Sequence, residues 1–290
     1  MKGIGSIAVL ALLLFAHVVE AKSPWQGIAE AKLITPVKEI RPGSSFYVGF
    51  LLRPEPGYHT YWRGPGVVGV ATQLHWELPD GFVAGDILWP TPRKTDMAGI
   101  IANGYKREVI LLTQIRVPET LSEDDVTLRV KAAWMACSAS CHPSVDNFSL
   151  TLPVASENPK DPDPKWEKRF QEIRESLPKP PPEEWEFIVV APGANHIFLE
   201  ATIPELSQNT TEEPVFFCDD MQVDSDSPAR FEWVEKSQGK FRLHFVRPDF
   251  APENPEKFSG ILKHPEGWKK IASSCVEVSV PWPASDSPDE

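Results

Sequence analysis

The sequence predicts a mainly β protein, with two immunoglobulin-like β-sandwich domains joined by a Pro-rich linker that carries one short helix. Three observations lead there. Short runs of alternating apolar and polar residues recur between turn residues, the pattern of half-buried antiparallel strands. Thirty prolines stand against 17 glycines, alongside ten tryptophans; this suits short strands and stiff turns, because proline interrupts helix interiors and central ladders alike. The 290 residues also exceed the roughly 100–150 of one typical core, and one abrupt change of composition divides them.

Taken in order, the chain opens on Met1-Lys2, an apolar run over residues 7–15, and Val19-Glu20-Ala21. A basic start, a short apolar stretch and a small residue at the cut predict a signal peptide over residues 1–21. The run is shorter than the roughly 20 residues a membrane-spanning helix needs. After cleavage the chain is expected to be soluble, not itself transmembrane, and periplasmic or secreted. Residues 32–155 form the first predicted sandwich, with strands at 45–52, 72–78, 109–115 and 126–134 separated by Pro-Gly, Pro-Asp-Gly and Asn-Gly turns. Residues 156–184 turn to prolines and charges and read as the linker. Within it Trp166, Phe170, Ile173 and Leu177 share one face of a short helix, expected to pack across the domain junction. The β pattern returns at 185–190, 197–201, 241–245 and 275–280, giving a second, smaller sandwich over 185–283. An acidic tail, 284–290, has nothing to bury.

Several function classes are excluded. The net charge of -12, with lysines and arginines scattered among carboxylates, opposes nucleic acid as a partner. There is no Gly-rich phosphate loop, no His-Glu-x-x-His helix motif and no Ser-His-Asp order. No cofactor is expected. Asp219, Asp220, Asp224 and Asp226 lack the glycine and terminal glutamate of a calcium-binding EF-hand loop and read as a solvated loop. Tyr58, His59, Tyr61 and Trp62 read first as core packing, with an aromatic ligand groove as the alternative.

Chemistry points instead to cysteine. Four cysteines in an exported chain meet an oxidising compartment, where pairing is the default. Cys137 and Cys141 enclose Ser138-Ala139-Ser140 between two predicted strands, and a three-residue hairpin connection brings its flanking residues within disulfide range. Closing so small a loop removes only roughly 2 kcal/mol of unfolded-state entropy, against roughly 4 kcal/mol for Cys218 to Cys275. The short-loop pair therefore suits exchange better than stabilisation, and Cys137 and Cys141 are the candidate catalytic residues. Cys218 and Cys275 either form a structural disulfide in the second sandwich or remain buried free thiols. Two other readings of the first pair stand beside exchange. One is a structural hairpin disulfide in a non-catalytic envelope binding or scaffold protein. The other is a copper or zinc site using Cys137, Cys141 and His142, for which the sequence advertises no fourth ligand; no metal is assigned.

These cysteines close a series of segments in order: Gly57-Tyr58-His59-Thr60-Tyr61-Trp62, Leu74-His75-Trp76-Glu77-Leu78-Pro79-Asp80-Gly81-Phe82, Leu88-Trp89-Pro90-Thr91-Pro92, Asn103-Gly104-Tyr105, and Trp134-Met135-Ala136-Cys137 through Cys141-His142-Pro143. Together they resemble the N-terminal periplasmic domain of the thiol:disulfide interchange protein DsbD and the related copper-sensitivity suppressor, ScsB-like, proteins. The resemblance implies an immunoglobulin-like domain, related to cytochrome c biogenesis. Its cysteine pair would take electrons from a membrane partner and pass them to oxidised thioredoxin-like periplasmic proteins. It also implies a cap loop shielding the pair, which by order along the chain falls at 95–104, with Met97, Ala98, Gly99, Ile100 and Ile101 at its centre. An ordinary hairpin loop is the alternative there. The sequence to Glu290 contains no membrane electron carrier, so the reductant is expected to be a separate protein. The spacing of the pair is shorter than in the best-known domain of the family, and which cysteine attacks stays open.

Overall fold

In the computed structural model the described residues are 23–155, 160–193, 195–207, 212–234, 239–253 and 255–283. The predicted signal peptide and acidic tail lie outside them. Among the described residues strands make up 50% and helix 5%, so the protein is mainly β, as its alternating pattern indicates.

The N-terminal half contains β1 (Ile28–Ile34), β2 (Ser45–Pro54), β3 (Thr60–Tyr61), β4 (Gln73–Glu77), β5 (Val83–Leu88), β6 (Arg93–Met97), β7 (Ile100–Tyr105), β8 (Val109–Arg116), β9 (Asp125–Cys137) and β10 (Cys141–Pro153). One sheet has the order β1-β2-β8-β5, a second β10-β9-β4, and a small third β3-β7-β6. Strand β9 shows why these residues pair. Val126, Leu128, Val130, Ala132, Trp134 and Ala136 are buried, alternating with residues such as Arg129 and Lys131 that are exposed, the period of two that gives a strand one core face. Val126 and Leu128 pack with Phe46 and Val48 of β2, while Ala132, Trp134 and Ala136 pack with Phe50 and Leu52. The first two sheets thus close on one another as a sandwich.

Helix α1 (Pro164–Ser176) follows. Asp163 caps it, its carboxylate accepting from the backbone N–H of Lys165 at 2.9 Å and of Trp166 at 3.4 Å, with Pro164 opening the first turn. Leu177 is extended, as a residue before proline prefers. The predicted apolar face is used, but the helix does not pack across the junction. Phe170 is buried with Ile34, Leu51, Ile110 and Leu112, and Trp166 and Ile173 pack against them, on the outer face of the first sheet. The reason lies in residues 109–112, apolar without alternation and buried on both faces of β8, which leaves an apolar outer face that the helix covers. Gly49 makes room for it: a Cβ there would lie 2.5 Å from Ile110 Cγ2 and 2.9 Å from Phe170 Cζ.

The C-terminal half contains β11 (Glu186–Gly193), β12 (His196–Thr202), β13 (Val215–Cys218), β14 (Arg230–Trp233), β15 (Lys240–Val246), β16 (Lys257–Lys263) and β17 (Cys275–Pro281). Its sheets have the orders β11-β12-β15-β14 and β13-β16-β17, packed around Phe216, Phe241, Phe245, Phe258 and Val276. The two halves share an apolar seam. Phe217, Ile261 and Cys275 belong to the same buried cluster as Trp62, Trp89 and Tyr105. Gly64 is part of the same close fit, since a Cβ there would lie 2.0 Å from the Cys218 carbonyl oxygen.

Cys218 and Cys275 are buried free thiols, so the candidate structural disulfide is not formed. Strand register explains this. Cys218 lies opposite Gly260 on β16, and Gly260 lies opposite Val278 on β17, which puts Cys275 two strands across and three residues along. Two strand spacings alone amount to roughly 10 Å, beyond the roughly 7 Å Cα limit for a bridge. Instead Cys218 Sγ donates to Asp220 Oδ1 at 3.2 Å, and Thr91 Oγ1 donates to Cys275 Sγ at 3.1 Å. Burial pushes both thiols above their ordinary range, which keeps them protonated and unreactive.

Candidate functional site

Strands β9 and β10 pair antiparallel along their whole length, from Asp125 opposite Pro153 to Cys137 opposite Cys141. A ladder this long sets the register firmly, so the cysteines face each other at its closed end. Ser138 N–H donates to the Ser140 carbonyl at 3.0 Å and closes the turn. The sulfurs are joined, at 2.02 Å, with a Cα separation of 4.2 Å.

The two sulfurs live in different surroundings. Cys137 is wholly buried in a cluster with Tyr61 and Ala102, against which Met97 and Met135 pack. Its backbone exchanges hydrogen bonds with His59, N–H to carbonyl at 3.0 and 2.9 Å, which ties β3 to the end of β9. Cys141, by contrast, is exposed. The Tyr61 hydroxyl lies 3.9 Å from Cys141 Sγ. Burial pushes this phenol up to about 12, so it stays protonated, and its O–H is the donor because a disulfide sulfur carries no proton. Tyr58 and His142 have ring centroids 5.9 Å apart. His59, Tyr61 and Trp62 are buried, so this cluster is core packing and not an open groove.

Residues 95–104 fold as a second hairpin, made by β6 and β7, with Met97 paired to Ile100. Ala98 and Gly99 form its tip with φ of 53° and 93°, both positive as a two-residue connection matched to strand twist requires. Of the residues expected in a cap, Met97 reaches the Cys137 cluster, Ala98 and Gly99 are exposed, and Ile100 and Ile101 are half-buried. The hairpin therefore covers the Cys137 side and leaves Cys141 open, a narrower cover than one over both sulfurs. The acidic run is also not simply a solvated loop: Asp219 forms an ion pair with Arg63 at 2.6 Å, and Asp226 accepts from the Ile101 N–H at 2.8 Å. Contacts to backbone leave no trace in side-chain pattern, so the sequence offered no signal for them.

His59 gives the site a pH dependence. Burial, with a smaller contribution from Lys106, holds its imidazole below the ordinary value of 6.5. Between that depressed value and 6.5 the unfolded chain binds more protons than the folded one, so stability falls as pH drops from 6.5 and levels off below the folded value. In His59→Gln, the part of the change in melting temperature between pH 7 and pH 5 that comes from this group is expected to vanish. An unchanged slope in thermal melts would show that His59 is not responsible.

One exposed and one buried cysteine residue, bridged at the closed end of a sandwich hairpin beneath a second hairpin, define a β-sandwich domain fitted for thiol:disulfide exchange. Comparison with known families gives the same class. Residues 30–153 match the family described as thiol:disulfide interchange protein DsbD, N-terminal. Among solved structures, the N-terminal periplasmic domain of ScsB from Proteus mirabilis aligns at a TM-score of 0.53 and 17% identity, covering 84% of this chain and 91% of that one; the likeness is one of fold. The Actinomyces fimbrial adhesin FimA aligns at a TM-score of 0.20 and 12% identity over 87% of this chain and 96% of that one, too low to carry an argument. No curated protein matches the chain. Among the described residues, no helix is long and apolar enough to cross a membrane, and no group of three or more His, Cys, Asp or Glu side chains is arranged to hold a metal ion.

Proposed function

We propose that the protein is a periplasmic electron-transfer component in which the N-terminal sandwich, residues 32–155, exchanges disulfides through Cys137 and Cys141. Electrons come from a separate membrane carrier and pass to thioredoxin-like partners. The C-terminal sandwich, 185–283, holds no part of the pair. The observation that carries this reading is the asymmetric burial of the two cysteine residues, Cys137 buried and Cys141 exposed, which supports giving them different steps. In the reduced protein, the exposed Cys141 thiolate attacks a partner disulfide. A Cys141–partner S–S bond forms, and the partner's second sulfur leaves as a thiolate and takes up a proton. Cys137 then gives up its proton and attacks Cys141 Sγ, which restores the 137–141 bridge and releases the partner's first sulfur. Two electrons have moved to the partner, and a dithiol donor reverses the sequence to recharge the pair. The Tyr61 hydroxyl, 3.9 Å from Cys141 Sγ, is placed to donate a hydrogen bond to a thiolate there.

Trapping tests the assignment. With Cys137→Ser the attacking thiol remains and the resolving one is gone, so a mixed disulfide with an oxidised thioredoxin-like protein is expected to accumulate. With Cys141→Ser it is not. Absence of a mixed disulfide in both variants, together with a wild-type reduction potential below roughly -300 mV, would mark an inert structural bridge.

A further inference from the structure

The outer edge of β7 is covered by strand pairing only at its end, where Gly104 and Tyr105 lie opposite β3. Three residues nearer the tip, at Ile101, a loop of the C-terminal sandwich takes the place of a strand. Asp226 Oδ1 accepts from Ile101 N–H at 2.8 Å, and Ser225 Oγ donates to the Ile101 carbonyl at 2.7 Å. The same Ser225 Oγ accepts from Val67 N–H at 3.0 Å, and the Ser225 carbonyl accepts from Lys94 Nζ at 3.3 Å. Ser225 is only 5% exposed. Gly66, with φ of 96°, lets it in: a Cβ there would lie 2.1 Å from Ser225 Oγ. The Arg63–Asp219 ion pair at 2.6 Å anchors the start of the loop. Both backbone groups of one residue in the hairpin over Cys137 are thus held by side chains more than 120 positions away in sequence.

We propose that Ser225 and Asp226 are positioning residues for the disulfide, clamping the β6–β7 hairpin shut over Cys137 so that the C-terminal sandwich sets how fast the pair exchanges. This rests on the exchange reading of Cys137 and Cys141. When a thiolate attacks Cys141 Sγ, the S–S bond breaks and its electron pair goes to Cys137 Sγ. That sulfur sits among Tyr61, Ala102, Met97 and Met135, where burial in apolar surroundings disfavours a thiolate. Lifting the hairpin admits water to the leaving sulfur and speeds the step. The clamp contacts neither sulfur, so it is expected to change rates in both directions and to leave the equilibrium alone.

The test compares wild type with Ser225→Ala, Asp226→Ala, their combination and Asp226→Asn, which keeps an oxygen acceptor at Oδ1. Three quantities are read: amide hydrogen exchange over residues 100–104, the rate of disulfide reduction by dithiothreitol, and the position of equilibrium with that reagent. For the combined variant both rates are expected to rise about tenfold, the equivalent of losing 1.4 kcal/mol of closure, with the equilibrium unchanged and Asp226→Asn close to wild type. Simple destabilisation would lower the melting temperature without that selective pattern, and the single variants report if the combined one does not fold. Unchanged hairpin exchange overturns the clamp, and faster hairpin exchange without faster reduction overturns its link to the disulfide. If the clamp variants behave as expected while wild type reacts with no thioredoxin-like protein, the proposed function fails and the positioning role stands.

Discussion

Removing both cysteines of the pair as Cys137→Ala/Cys141→Ser is expected to abolish disulfide exchange while costing the fold only about 2 kcal/mol, the loop-closure value for so short a ring. The fold does not depend on the bridge for register, because β9 and β10 pair over their whole length below it and Trp134 is locked by Trp25, Phe50 and Phe148 at ring distances of 5.6, 5.7 and 6.0 Å. Alanine is the right replacement at position 137. The residue is wholly buried in an apolar cluster, and a serine hydroxyl left there without a partner would add about 1–3 kcal/mol of its own. Serine suits the exposed position 141. Denaturant titration of the two proteins, followed by an assay of thioredoxin-like partner reduction, checks both halves of the expectation. Loss of more than about 5 kcal/mol would mean that the bridge is a structural staple, and retained exchange would move the chemistry to another site.

The strands and the bridge were legible in sequence for one physical reason: both are local. Alternation in β9 and β10 follows from side chains pointing to opposite faces, and a three-residue connection leaves its flanking residues opposite each other whatever the rest of the chain does. What could not be read depends on partners distant in sequence. The helix face was visible from Trp166, Phe170 and Ile173, but its target was not, because the apolar stretch at 109–112 is equally consistent with a strand buried on both faces by another sheet or by a helix. The free state of Cys218 and Cys275 turns on a register across β13, β16 and β17. The asymmetry of the pair, with Cys137 buried and Cys141 exposed, comes from His59, just before β3, pairing with Cys137 and from Met97 arriving on a hairpin 40 residues earlier. Asp226 shows the limit most clearly, since its partner is a backbone N–H, which every residue but proline carries.

Excising the hairpin, with residues 95–102 replaced by two glycines, is expected to raise the rate of reduction by dithiothreitol about hundredfold, which corresponds to removing a closure of about 2.8 kcal/mol. The gain comes from the leaving sulfur. With Met97 and Ala102 gone, Cys137 loses the apolar cover that keeps water from its developing charge, while the exposed Cys141 was never blocked. Reaction with a thioredoxin-like protein should change far less, because a partner that must displace the hairpin to dock supplies that free energy through its own contacts. Selectivity for the protein partner over a small thiol therefore collapses from one side. The excision should also make Ser225→Ala/Asp226→Ala silent, since a clamp has no effect once the element it holds is absent, and that non-additivity separates gating from general loosening. Stopped-flow reduction of wild type, the excised protein and the triple combination by both reductants measures all three effects. Equal and negligible rates throughout would leave only a structural hairpin disulfide.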